Sequence, residues 1–351
     1  MTLKIDITKK FKDFNLDIKL ESKEGWLGLL GASGAGKSVT LKAIAGIITP
    51  DRGTIILNDR ILFDSEKKIN LPPQERRVGY LFQSYALFPH MTVEENISFV
   101  IKGDMAFKQK RTSELIELFR LKGLERAYPK ELSGGQQQRT ALARIIASEA
   151  EVLLLDEPFS ALDSYLREEL IEELLPAIKA FSREVILVTH RSEEAYRLCQ
   201  ELAIISSGII ITKGPTREIF KNPRRIEGAR LIGINNISPI EKISDYEVHA
   251  VEWGVNLRVD ERVQENSRYV AISSNSIKPL CGKNKGLINI INSSLVEMIE
   301  KPYDLELILK SKSSQGNIRW VISKEKWHKE FSKKLPEYLY LSPEELILLE
   351  D

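Results

Sequence analysis

The apolar run Trp26–Leu30 leads directly into Gly31-Ala32-Ser33-Gly34-Ala35-Gly36-Lys37-Ser38, and Val39 then opens a segment with Leu41, Ile44 and Ala45 on one helical face. Few architectures accept that order: a buried strand, a glycine loop, and a helix with Gly46 near its end. Small residues in the loop let successive backbone N–H groups wrap a polyphosphate at a helix N-terminus, where the helix dipole favours negative charge. In the pattern G-x-x-x-x-G-K-[ST], Lys37 belongs on the β- and γ-phosphates and the Ser38 hydroxyl on Mg2+. The phosphate-binding set is therefore Gly31, Ala32, Ser33, Gly34, Ala35, Gly36, Lys37, Ser38 and Val39. Chance supplies the pattern in about one chain in a hundred of this length, and the flanking elements make a plain glycine turn a poor account of it.

The rest of the chain supports an α/β reading. Leu3, Ile5 and Ile7, then Phe14, Leu16, Ile18 and Leu20, alternate with polar residues and predict two half-buried strands. Residues 53–63 read as a hairpin turning at Asn58-Asp59. From about 93 to 147 the spacing is helical, with Leu115, Leu118 and Phe119 and then Ala141, Leu142 and Ile145. Strands return at 152–155 and 185–188 around a helical segment carrying Leu170, Leu174 and Leu175, which predicts a parallel sheet covered on both faces. After about Asn235 the texture changes to short alternating strands at 246–251, 305–309 and 318–322, a separate β-rich domain over 235–351.

A length of 351 residues suggests about two domains. Lys and Arg total 51 against 50 Asp and Glu, so no global basic field exists to hold a nucleic-acid backbone. Two cysteines far apart, Cys199 and Cys281, form neither a disulfide framework nor a zinc-ligand pattern, which fits a reducing compartment. No stretch approaches the roughly 18 apolar residues of a spanning helix.

A second apolar strand ends in two acids, Val152-Leu-Leu-Leu-Asp156-Glu157. That places Asp156 near a metal at the carboxyl edge of the sheet, and Glu157 one residue further, where it can orient or deprotonate an attacking water. The segment Leu132-Ser133-Gly134-Gly135-Gln136 matches the signature of ATP-binding cassette (ABC) ATPases, and the chain resembles that family over residues 1–230. The family's other motifs follow in order: Gln83 after an apolar strand, Ser160-Ala161-Leu162-Asp163 after the acids, and His190 after the 185–188 strand.

The resemblance implies an α/β P-loop NTPase over 1–234 with an inserted helical subdomain at about 84–150, and a small C-terminal β-barrel resembling the oligomer-binding fold. It implies an ATP hydrolase using ATP and Mg2+, with Ser38, Gln83 and Asp156 at the metal and Glu157, His190 and Gln83 in catalysis. It also implies a homodimer in which Leu132, Ser133, Gly134, Gly135 and Gln136 of one copy meet ATP held by the other, with Ser160, Ala161, Leu162 and Asp163 beside it. Gln83 would report the γ-phosphate to the helical subdomain. Phe11 is the expected aromatic platform for adenine, while Phe14, in strand register, reads as core.

The segment from Gln83 to His90, preceded by Arg76-Arg77-Val78-Gly79-Tyr80, resembles the importer branch, where it lines a groove for a permease helix; Tyr85 and Phe88 are read there as exposed aromatics. Residues 66–73 are similar to those of molybdate importers. The expected assembly is a peripheral one, on the cytoplasmic face of the membrane. Its partners are integral-membrane permease subunits and, indirectly, an extracytoplasmic binding protein. Molybdate is the first expected cargo, with tungstate or sulfate next. Sugar, polyamine or iron import, and a soluble ATPase without a permease, remain as alternatives.

Overall fold

Alternation of apolar and polar residues makes β1 (Leu3–Lys10) and β2 (Asn15–Ser22) an antiparallel pair with one face buried. The computed structural model describes residues 2–22, 25–160, 167–168, 171–172, 175–176, 178, 184–280, 287–311, 315–331 and 335–351. They divide into two units, Met1–Thr216 and Arg217–Asp351.

In the first unit, β3 (Trp26–Leu30) is buried at every position. After β4 (Arg52–Leu57), β5 (Arg60–Asp64), β6 (Ile69–Asn70) and β7 (Val78–Leu81), so are β8 (Val152–Asp156) and β9 (Glu184–Thr189). Continuous apolar strands of this kind must be covered on both faces. With β10 (Glu201–Ser206) and β11 (Ile209–Pro215) they form one sheet among the described residues, in the order β6-β5-β4-β1-β2-β11-β10-β3-β9-β8-β7. The segment β10-β3-β9-β8-β7 is parallel throughout and β11 also pairs parallel with β2, while the other pairings are antiparallel; the expected parallel sheet is thus extended into a mixed one. Between β4 and β5 the turn falls at Asn58 and Asp59, whose φ values of 50° and 64° are those of a two-residue hairpin turn.

The parallel arrangement brings the carboxyl ends of β3, β7, β8 and β9 to one edge, and the loops that leave them carry the motifs. From β3 the chain enters α1 (Lys37–Ala45), closed by Gly46, whose N–H is returned to Ala43 O. Between β7 and β8 lie α2 (Val93–Ser98), α3 (Met105–Leu118) and α4 (Gly134–Ala147). Their apolar faces meet in one core containing Val93, Ile97, Leu115, Phe119, Ala141 and Leu142. Each starts at a residue able to accept from its first turn: Thr92, Asp104 and Ser133.

The second unit contains β12 (Asn236–Ser244), β13 (Glu247–Ala250), β14 (Val255–Arg258), β15 (Tyr269–Ile272), β16 (Lys278–Leu280), β17 (Ile290–Glu300), β18 (Asp304–Ser311), β19 (Ile318–Ser323), β20 (Tyr338–Tyr340) and β21 (Ile347–Leu349). Among the described residues they form two antiparallel sheets, ordered β14-β13-β12-β15-β21 and β16-β20-β17-β18-β19, around a core that includes Trp253, Leu307 and Trp320. The unit begins at Arg217, before the expected start at 235. The reason is apolar packing: Ala229 and Ile234 cluster with Ala271 and Leu349, so the residues preceding β12 belong to this core.

Candidate functional site

The glycine loop has the backbone that its composition calls for. Gly34 and Gly36 adopt φ values of 80° and 106°, a region costly for other residues, and a Cβ on Gly36 would lie 2.7 Å from Leu16 Cδ1 and 2.9 Å from Phe14 Cζ. Above Gly34 the space is open, with nothing within 4 Å of where a Cβ would stand. Lys37 is only 4% exposed, and its Nζ donates to Gly31 O and Ala32 O, both at 2.8 Å. Burial holds the Lys37 ammonium below the ordinary lysine range, while Glu157 and then Asp156 act in the opposite sense. The cation is thus partly desolvated and folded back onto the carbonyls of its own loop.

The two acids diverge at the end of β8. Asp156 is buried and accepts from Ser38 Oγ at Oδ1 and from Tyr80 OH at Oδ2, both at 2.7 Å. Burial and then the Asp156 bond push the Tyr80 phenol well above its usual range, so it stays a donor. Ser38 and Asp156 thus bring together a hydroxyl and a carboxylate, hard oxygen donors of the type Mg2+ takes. Glu157 turns away: its φ of 46° and the bond from its N–H to Val188 O, 3.0 Å, direct it off the strand. Its Oε1 lies 3.4 Å from His190 Nδ1, and the His190 side chain is 48% exposed, so this pair faces solvent beside the loop.

Ser160 is tied to the same turn, with its Oγ donating to Glu157 O at 2.9 Å and accepting from Gln83 Nε2 at 3.5 Å. The remaining residues of that motif, Ala161, Leu162 and Asp163, lie outside the described residues. His190 is framed by Thr189, whose Oγ1 donates to the buried Glu194 at 2.6 Å and accepts from Arg191 N at 3.0 Å. The structure therefore brings together Ser38, Asp156, Glu157, His190, Ser160 and Gln83 from loops far apart in sequence.

Ser133, Gly134, Gly135 and Gln136 stand at the start of α4. Ser133 Oγ accepts from Gln136 N, and Gln136 Oε1 accepts from Ser133 N, which rigidifies the first turn. Gly134 has open space where a Cβ would be, and Leu132 is buried beneath it. Phe11 is 39% exposed at the end of β1, 6.0 Å ring to ring from Phe14. Phe14 does more than fill the core, since it abuts Gly36 and Gly208 and so supports the loop.

One expectation is corrected. Tyr85 is not an exposed groove residue but 8% exposed, with its OH donating to Gln138 Oε1 at 3.5 Å, while Phe88 is half-buried under the Arg144 guanidinium, 4.9 Å from the ring centre. The burial comes from α4, a tertiary neighbour with no local signal. Sequence reasoning also missed the part played by Tyr80; only the β7/β8 pairing, with Tyr80 opposite Leu154, carries it to Asp156.

A family profile described as "ABC transporter" matches residues 11–160. The chain is 42% identical over 235 residues to a probable sulfate/thiosulfate import ATP-binding protein of Chlorella vulgaris, covering 65% of this chain and 97% of that one. It is 37% identical over 312 residues to a spermidine/putrescine import ATP-binding protein of Clostridioides difficile (strain 630), covering 86% of each. To a molybdate/tungstate import ATP-binding protein of Thermococcus kodakarensis it is 41% identical over 236 residues, covering 66% and 70%. Among solved structures, the dimeric ATP-binding cassette MJ0796 in a post-hydrolysis state bound to ADP and Pi superposes with a TM-score of 0.52 at 27% identity, covering 62% of this chain and 99% of that one. With its phosphate loop, paired acids and signature helix placed as above, the chain belongs to the ABC transporter ATPase family.

Proposed function

We propose that this chain is the ATP-hydrolysing subunit of an ABC importer. The observation that carries the reading is the Ser38–Asp156 bond at 2.7 Å, which joins the phosphate loop to the acid strand and leaves Glu157 paired with His190 at the edge. The loop 31–39 holds the polyphosphate of ATP, Phe11 stacks on adenine, and Lys37 turns from its carbonyls to the β- and γ-phosphoryl oxygens. Ser38, Gln83 and Asp156 are the residues that would hold Mg2+, which when bound supplies charge neutralisation at those oxygens. Glu157 orients and deprotonates the attacking water, and His190 donates to the γ-phosphate. A second copy of the chain supplies Ser133, Gly134 and Gly135, whose N–H donors and hydroxyl cap the γ-phosphate at a helix start.

Replacing Glu157 with Gln removes the base but no part of the cradle. We expect nucleotide affinity to be retained and turnover to fall about 10²–10⁴-fold. Lys37→Ala should instead weaken binding itself, measured with a fluorescent nucleotide. Normal turnover by Glu157→Gln would remove Glu157 from this role.

No helix among the described residues is long and apolar enough to cross a membrane. In this reading the chain sits on the cytoplasmic face by docking on integral-membrane permease subunits, and an extracytoplasmic binding protein selects the cargo. The β-rich second unit has a regulatory or dimerisation role, in an oligomer-binding-like barrel. We infer an oxyanion cargo, molybdate first and tungstate or sulfate next, supported by residues 66–73 and by relatives named for these anions. Polyamine import is the second reading, favoured by the relative that aligns over 86% of the chain. Co-purification of the permease from detergent-solubilised membranes, followed by binding assays on the binding protein encoded beside it, separates the two.

A further inference from the structure

The backbone that follows Gln83 is held in an unusual way. Tyr85 and Ala86, neither of them glycine, adopt φ values of 60° and 47°, conformations that require the surroundings to impose them. The constraint comes from one side chain on α4. Arg144 Nη2 donates to Ala86 O at 2.8 Å and to Tyr85 O at 3.3 Å, while Nη1 reaches Asn96 Oδ1 at 3.4 Å and the guanidinium plane covers the Phe88 ring. Asn96 completes the clamp by accepting from Phe88 N at 2.9 Å and donating to Phe88 O, Met91 O and Thr92 O. Two turns nearer the start of α4, Gln138 Oε1 accepts from the buried Tyr85 hydroxyl. The same helix begins at Ser133, capped and presented to solvent. A single rigid rod therefore carries the signature at one end and grips the segment after Gln83 with its later turns.

We propose that Arg144 is a positioning residue for ATP turnover. By fixing Tyr85 and Ala86 to α4, it makes Gln83 and the Ser133 end of the helix move as one body, so that loading at the phosphate loop of one copy is matched to placement of the signature on the other. The inference rests on the functional reading given above and adds to it a residue outside the recognised motifs. A guanidinium suits the task because its planar fork serves two carbonyls and an amide oxygen at once, which an ammonium cannot do. Among the described residues Arg144 bonds Asn96, Tyr85 and Ala86 and covers the Phe88 ring, away from loop 31–38 and Glu157, so nucleotide affinity should not depend on it.

The test compares full-length Arg144→Gln and Arg144→Lys with the native chain in steady-state ATP hydrolysis, fluorescent-nucleotide binding and thermal unfolding. We expect kcat to fall about 10- to 100-fold for Arg144→Gln, the size of effect that misplacement at a distance produces, with KM and nucleotide affinity within about twofold of native. Arg144→Lys should lie between the two. In a Glu157→Gln background, ATP-dependent dimer formation seen by size-exclusion chromatography should be lost when Arg144→Gln is added. Tyr85→Phe, which keeps the ring and removes only the hydroxyl to Gln138, gives a second reading should Arg144→Gln fold poorly, and its kcat should fall with KM unchanged.

Unchanged kcat in these variants, or kcat and affinity falling together in step with the folded fraction, overturns the proposal. Controls locate the failure. If Lys37→Ala and Glu157→Gln behave as expected while Arg144→Gln turns over normally, only the positioning role is wrong. If those two also behave like the native chain, the functional reading itself fails.

Discussion

The loop Gly31–Ser38 and the segment Gln83–His90 leave the carboxyl ends of parallel strands in the same sheet, and both pass through left-handed backbone. The first does so at Gly34 and Gly36, where no side chain opposes the conformation. The second does so at Tyr85 and Ala86, whose carbonyls are held from outside by Arg144. A loop written in glycine enters left-handed backbone without steric cost, and needs its neighbours only to keep it there. A loop held by a side chain of a helix remote in sequence depends on that helix for its shape.

The largest expected effect breaks the first loop. Gly36→Ala combines a left-handed alanine, about 1–2 kcal/mol, with overpacking against Leu16 and Phe14. Nucleotide affinity should fall on the order of 100-fold by equilibrium binding, or about 2.7 kcal/mol. Gly34→Ala carries the left-handed cost without the overpacking and should lower nucleotide affinity less, and equal losses of affinity at the two positions would mean that packing does not distinguish them.

Breaking the second loop should leave that affinity alone. Asn96→Ala deletes the acceptor of Phe88 N and donors to three carbonyls, and should cost about 2–3 kcal/mol in denaturant unfolding while nucleotide binding stays within about twofold. A matching loss of binding would show that the two loops are not independent.

A smaller effect concerns Lys37. Because burial lowers its folded pKa beneath 10.5, the folded chain holds this proton less tightly than the unfolded one. The penalty is full below the folded pKa and lifts as pH rises toward 10.5. Nucleotide-free Lys37→Met should therefore be more stable than native at neutral pH, with the gap closing as pH rises toward 10.5 in pH-resolved unfolding. A constant gap would assign the difference to packing instead of charge.

The smallest effect is at Ala86. Ala86→Gly relieves the left-handed strain but adds chain entropy to the unfolded state, so stability should change by less than about 1 kcal/mol. A large gain in unfolding midpoint would mean that the clamp stores more strain than the left-handed backbone accounts for.

The same contrast explains what could be read without a structure. Loop 31–38, the acids after β8, the hairpin turn at Asn58-Asp59 and the cap at Ser133 are local: each depends on residues within a few positions, so composition and spacing expose them. The apolar runs of β3, β8 and β9 likewise required burial on both faces. The burial of Tyr85 has no local signal, because an aromatic beside polar residues looks exposed until a helix from another part of the chain covers it. The start of the second unit at Arg217 was hidden for a similar reason, since Ala229 and Ile234 acquire their partners only when β15 and β21 are beside each other.

By itself the sequence determined the chemistry at the sheet edge, because phosphate loops, strand-end acids and helix caps are made from contiguous residues whose backbone and charge leave few alternatives. The tertiary structure decided which of those groups face one another. Tyr80 reaches Asp156, Glu157 meets His190, and Arg144 takes hold of Tyr85 and Ala86 through pairings of elements separated by 33 to 76 positions, Tyr80 and Asp156 being the most distant. Contacts across such spans follow from sheet order and helix packing, which no window of sequence contains.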